Sequence, residues 1–213
     1  MVQRIVSPAP PNLPLGTEQY ERRYQDQFSN VLRLYFNQLR NALSELFGPN
    51  GGQYIDCPNG LFFNTGDQFF AAPNTGYPIE FNQTYLHNAI DLVSSTRIVI
   101  GISGVYNFQY TGQLKGTNAS SKSIWVWIRR NGADIGYSTR AYTSTLNNEY
   151  KNIDWNFDID MAAGEYLEMM IAVDDISVQL EAEAPTAPHP GMASSVLTIN
   201  FIAPLPDVRP TPP

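Results

Sequence analysis

Residues 104–114, "GVYNFQYTGQL", decide the fold. Tyr106, Phe108, Tyr110 and Leu114 fall on one face by alternation of period two, and Asn107, Gln109 and Gln113 fall on the other. This is the pattern of a strand with one side against a core and one side in water. Downstream, residues 123–138, "SIWVWIRRNGADIGYS", are two runs joined by Asn131-Gly132, the strongest short-range hairpin signal. Trp125 and Trp127 point to one side of that strand and Ile124, Val126 and Ile128 to the other, so both faces are apolar. Residues 152–160, "NIDWNFDID", alternate with Ile153, Trp155, Phe157 and Ile159 inward, and "GEYLEMMIAV" and "SVLTINFI" complete the set. Many short strands with no helical pattern between them predict an antiparallel sandwich or jelly roll over residues 53–203.

Upstream the pattern changes. Residues 1–16 contain Pro8, Pro10, Pro11 and Pro14 and are expected to run as an extended arm, because proline lacks the amide hydrogen that a helix interior needs. Thr17 offers an N-cap, Glu18 and Glu21 place negative charge in the first turns, and "GPNGG" at 48–52 is a stop signal. Together these predict one helix over 17–48 of about 30 residues, about 45 Å long at the usual rise. Tyr20, Tyr24, Phe28, Val31, Tyr35, Leu39, Ala42 and Leu46 step by 4, 4, 3, 4, 4, 3 and 4. That is eleven residues per three turns, a period that follows a nearly straight helix. Leu32, Phe36, Leu43 and Phe47 form a second row that widens the stripe. The helix either lies across its own β domain or packs against other chains. A stripe this broad, set before the β region and behind a glycine-rich hinge, favours other chains. Residues 204–213, "PLPDVRPTPP" with its neighbours, read as a second proline-rich tail.

Composition narrows the function. Of 213 residues 43% are hydrophobic, enough for a true core. The net charge is −7 and only 13 Lys and Arg are present, scattered along the chain, which argues against nucleic acid as a partner. No stretch is long and apolar enough to cross a bilayer, and the start lacks the pattern of a secretory signal. Cys57 is the single cysteine, so no internal disulfide can form; it is expected to be a small, part-buried side chain, the other use being a thiol activated by a base such as His87. Nothing has the spacing of a metal, phosphate or nucleophile–base site, and no cofactor or enzyme activity is expected. Asp154, Asp158 and Asp160 on one strand face and Asp174-Asp175 after another read as solvated acids, with calcium as the other use. Asn82-Gln83-Thr84 and Asn118-Ala119-Ser120 match the glycosylation pattern by accident. Trp125, Trp127 and Tyr137 form either a sugar-stacking patch or, for the tryptophans, core or subunit packing.

Three motifs carry a resemblance. A Gly-x-Tyr-x-Phe strand at 104–108, the "RRNG" hairpin at 129–132, and the Gly-Glu turn leading into "YLEMMIAV" resemble the jelly roll of complement-type globular heads and tumour-necrosis-factor-like domains. Residues 12–43, "NLPLGTEQYERRYQDQFSNVLRLYFNQLRNAL", resemble the start of virion structural proteins of tailed phages, marine ones in particular. The resemblance implies a homotrimer mounted on a particle assembled in the host cytoplasm. It would be a fibre-like, knob or decoration appendage, bound to other virion proteins through its arm and helix. The chain has no collagen-like stalk, so secreted animal proteins are relatives in fold at best. The expected interface residues are Phe28, Val31, Leu32, Tyr35, Phe36, Leu39, Leu43, Trp125 and Trp127. The competing reading is an adhesin whose jelly-roll loops hold a host-surface glycan.

Overall fold

The computed structural model describes residues 8–15, 18–47 and 57–205. The chain divides into two units, residues 1–56 and 57–213. In the first, residues 8–15 have no regular secondary structure, and one helix, α1, spans Arg22–Leu46. It starts at Arg22 and not behind Thr17, which lies outside the described residues. Its N-cap position is Glu21, in extended conformation and without a side-chain cap, so the expected acids of the first turn precede the helix. Arg22 there meets the positive end of the helix dipole, and its ion pair with Asp26 at 4.0 Å places a carboxylate one turn further in. The helix is therefore 25 residues and about 38 Å long, shorter than the run of apolar side chains implied. Phe47 closes it by donating its amide to the Leu43 carbonyl at 2.9 Å; the "GPNGG" stop lies outside the described residues. The Tyr24 hydroxyl donates to the Pro14 carbonyl at 3.3 Å and ties the arm to the first turn.

The described residues of the second unit form strands and the turns between them. Its strands are β1 (Asn59–Asn64), β2 (Gln68–Phe69), β3 (Tyr77–Pro78), β4 (Gln83–Asn88), β5 (Ile90–Val93), β6 (Arg97–Ile100), β7 (Gly104–Arg130), β8 (Ala133–Asp134), β9 (Arg140–Met161), β10 (Tyr166–Val173), β11 (Val178–Leu180) and β12 (Ser195–Ala203). Two of them, β7 and β9, are long enough to serve two sheets. The first half of β7 lies between β12 and the second half of β9, giving the order β4-β1-β12-β7-β9. Its second half lies between β10 and the first half of β9, with β6 and β5 beyond β10. Register shifts between Lys115 and Ser121 mark the passage from one half to the other. The chains approach closely there: a β-carbon on Gly116 would lie 2.6 Å from the Leu146 carbonyl. The result is the expected antiparallel jelly-roll sandwich, nearly a barrel, with one helix before it.

Tyr106, Phe108, Tyr110, Leu197 and Ile199 line the core from one half, and Ile124, Val126, Ile128, Leu167, Met169 and Ile171 from the other. Alternation sorts them as expected, with Phe108 stacked on Phe157 across the β7/β9 pair. The Asn131-Gly132 turn is present, both residues at positive φ, as a two-residue primed turn demands. The second run of the expected hairpin is cut short. Only Ala133 and Asp134 pair back onto β7 before the chain turns at Tyr137, which also has positive φ (58°). Trp125 pairs instead with Ala141 in β9 on one side and with Ala172 in β10 on the other.

Candidate binding and assembly surfaces

On α1, Tyr24, Phe28, Val31, Tyr35, Leu39, Ala42 and Leu46 are each half-buried, and Tyr20, ahead of the helix, is exposed. Of the second row, Leu32 is half-buried while Phe36, Leu43 and Phe47 are exposed, as is Leu34. A shallow groove of about 420 Å³ runs along this face, lined by Phe36, Leu39, Arg40, Leu43, Ser44 and Phe47. The expected residues Phe28, Val31, Leu32, Tyr35, Phe36, Leu39 and Leu43 thus share one apolar surface in which no member is fully buried. Exposed aromatic and aliphatic groups in such a row favour a partner that removes them from water.

Trp125 and Trp127 belong to the second unit, on the outer face of the sheet formed by β7 and β10, and both are half-buried. They line a concave groove of about 490 Å³ with Asn74, Asp134, Tyr137, Thr139 and Ala172 among its walls. The Trp127 indole Nε1 donates to Asp134 Oδ1 at 2.9 Å, and the Arg129 Nε donates to the same oxygen at 2.9 Å. Those bonds, the indole's first, outweigh partial desolvation and hold the Asp134 carboxyl below the usual carboxylate range. Folding therefore unites the three aromatics singled out in the sequence. The polar wall was not legible: Asn74 in a turn and Asp134 in β8 are 60 positions apart, and no sequence pattern links them.

The acids of the β9 face are all engaged. Asp154 accepts from Thr111 at 2.9 Å, Asp158 from Asn107 at 2.7 Å, and Asp160 pairs with Arg130 at 3.1 Å. Among the described residues no three His, Cys, Asp or Glu groups converge as metal ligands. Asp175 accepts from the Ser177 amide at 2.9 Å and from Ser120 and Asn118, and these bonds, the Ser177 backbone first, lower its pKa to about 2. The Asn118 side chain is fully used in this network, accepting from Lys122 and donating to Ser177. Cys57 is exposed, not part-buried, because it sits ahead of the first strand. His87, the base considered for it, pairs instead with Asp91 at 3.0 Å, four residues along the chain. No described helix is long and apolar enough to cross a membrane.

Fold and surfaces together define a jelly-roll sandwich carrying an amphipathic helix. No protein-family model matches the sequence, and no curated protein matches it. Solved structures do resemble it. The Eiger TNF of S. frugiperda superimposes with a TM-score of 0.51 at 14% identity, covering 74% of this chain and 99% of that one. Murine APRIL gives 0.44 at 9% identity over 68% and 99%, and the globular domain of zebrafish complement 1qA gives 0.47 at 10% over 70% and 99%. At such identities the likeness concerns the fold alone, an antiparallel jelly roll as the three β motifs led one to expect.

Proposed function

We propose that this chain is a self-assembling, non-enzymatic structural protein of a phage particle, a homotrimeric appendage whose arm and helix attach it and whose jelly roll forms its head. One observation carries the reading: α1 presents an unbroken apolar row of eleven-residue period, flanked by exposed Leu34, Phe36, Leu43 and Phe47, that its own chain leaves partly in water. A parallel bundle of three such helices would bury Phe28, Val31, Leu32, Tyr35, Leu39 and Leu43 from every copy at once. Proline restricts the arm before docking, so an arm bearing Pro8, Pro10, Pro11 and Pro14 loses less entropy when it binds another virion protein. The phage setting rests on the likeness of residues 12–43 to virion proteins. A density map of intact particles, labelled through a tag on this chain, tests that setting, and the mass of the purified chain tests self-assembly. A chain that stays monomeric at micromolar concentration ends the trimer reading.

A further inference from the structure

The groove around Trp125 and Trp127 has features that assembly does not account for. Ile124, Val126 and Ile128 take the core side of β7, which leaves both indoles on the outer face. Trp127 is fixed at two points. Its Nε1 bonds Asp134, and its six-membered ring lies against Gly76, just ahead of β3, where a β-carbon would come within 2.8 Å of Cη2. Beside them Tyr137 is 92% exposed and sits at φ 58°, a conformation that costs energy for a residue with a β-carbon. Asn74, also at positive φ, and Thr139 add an amide and a hydroxyl to the rim, and Ala172 gives an apolar base. A ring held as Trp127 is offers wide contact surface while losing little conformational entropy on binding, and Trp125 and Tyr137 extend that surface.

We propose that this groove is a binding site for a neutral saccharide, with the rings of Trp125, Trp127 and Tyr137 stacking on the C–H faces of a pyranose and Asp134, Asn74 and Thr139 hydrogen-bonding its hydroxyls. The volume lies within the range of small-ligand pockets, about 300–1,000 Å³. Asp134 lines the groove and its Oδ1 accepts from Trp127 and Arg129, which leaves Oδ2 as the acceptor for a sugar hydroxyl. An acidic sugar would set a second negative charge beside it, and the adjacent cation, Arg129, is already committed to Asp134. The same carboxylate speaks against a subunit seam here, since a protein surface closing over the indoles would have to desolvate it. The site is independent of the helix and of the phage setting.

Full-length protein titrated with the methyl glycosides of glucose, galactose, mannose and N-acetylglucosamine tests the proposal, with methyl N-acetylneuraminate glycoside as the acidic comparator. Saturation-transfer NMR and tryptophan fluorescence report binding. At least one neutral glycoside binds saturably with Kd in the millimolar range or tighter, and Tyr137→Ala and Trp125→Ala each weaken it about tenfold. Tyr137→Ala removes a ring that is almost wholly in solvent, so its folding is safe and its thermal midpoint serves as the control. Four results each overturn the proposal: no saturable binding of any neutral probe, binding untouched by both substitutions, preference for the acidic glycoside, or a change of oligomeric mass in Trp125→Ala.

Discussion

Lys122 shows how one side chain can hold a corner of the fold. It is completely buried, and its ammonium donates to the Asn118 carbonyl and Oδ1, both at 2.7 Å, and to the Ser120 carbonyl at 2.8 Å. These acceptors belong to the segment where β7 passes from one sheet half to the other. The lysine takes the place of a bound cation among carbonyl oxygens. Lys122→Ala removes both stem and donors and is expected to cost about 2–4 kcal/mol in urea denaturation, and Lys122→Met, which keeps the stem, about half as much. Asp175 caps the same segment. Its pKa in the folded chain is about 2, against about 3.9 unfolded. The carboxyl is thus lowered on folding, so the stability it contributes is present above pH ~4 and is lost as pH falls toward ~2. Asp175→Asn should flatten acid denaturation in that window, modestly because the group is partly solvated. Acid melting curves that coincide for the two proteins would refute the role.

At the scale of the element, α1 is a helix whose stripe is satisfied only in part. An isolated helix of this length is marginal in water, and its stability comes chiefly from what its apolar face meets. Replacing Leu32, Tyr35 and Leu39 with Asp puts three charges in the proposed seam, where each must be desolvated. The triple variant should run as a monomer in light scattering while its β-sheet circular dichroism and thermal midpoint stay those of the parent. Retention of the parental mass would show that the helix is not the seam. Strand β10 makes the opposite case: Leu167 to Val173 are all buried, Glu168 included, because Arg97 and Thr96 each donate to its carboxylate at 3.3 Å.

For the whole molecule, the two units make separable expectations. Residues 57–213 contain the entire jelly-roll core, so this segment expressed alone should fold, with a cooperative melt like that of the full chain. If it aggregates or melts without cooperativity, the core depends on the first 56 residues. No hydrolase, transferase or redox activity is expected of the full chain, and saccharide-cleavage assays on host envelope material are the relevant check. Turnover that one carboxylate substitution abolishes would reverse this.

Local periodicity by itself determined which residues lie inward. Tyr106, Phe108 and Tyr110, or Ile153, Trp155 and Ile159, can be assigned from alternation because successive side chains of a strand point to opposite faces whatever the strand pairs with. The 4-4-3 row of α1 was legible for the same reason, although the start of the helix was not: the expected cap, Thr17, stands five residues before Arg22. Only the tertiary structure decided which strands are neighbours. β12 inserts between β1 and β7 from more than 80 residues away, and no local pattern encodes a partner at that distance. It also decided that Lys122 lies inside, since the acceptors that compensate its burial converge only when β7 turns its corner. The aromatic groove was half legible. Trp125 and Trp127 share a face by spacing alone, but Tyr137, Asp134 and Asn74 reach them through turns with left-handed residues, two of which are tied to distant strands by the Asn74 amide on the Val173 carbonyl and the Asn131 amide on the Tyr166 carbonyl.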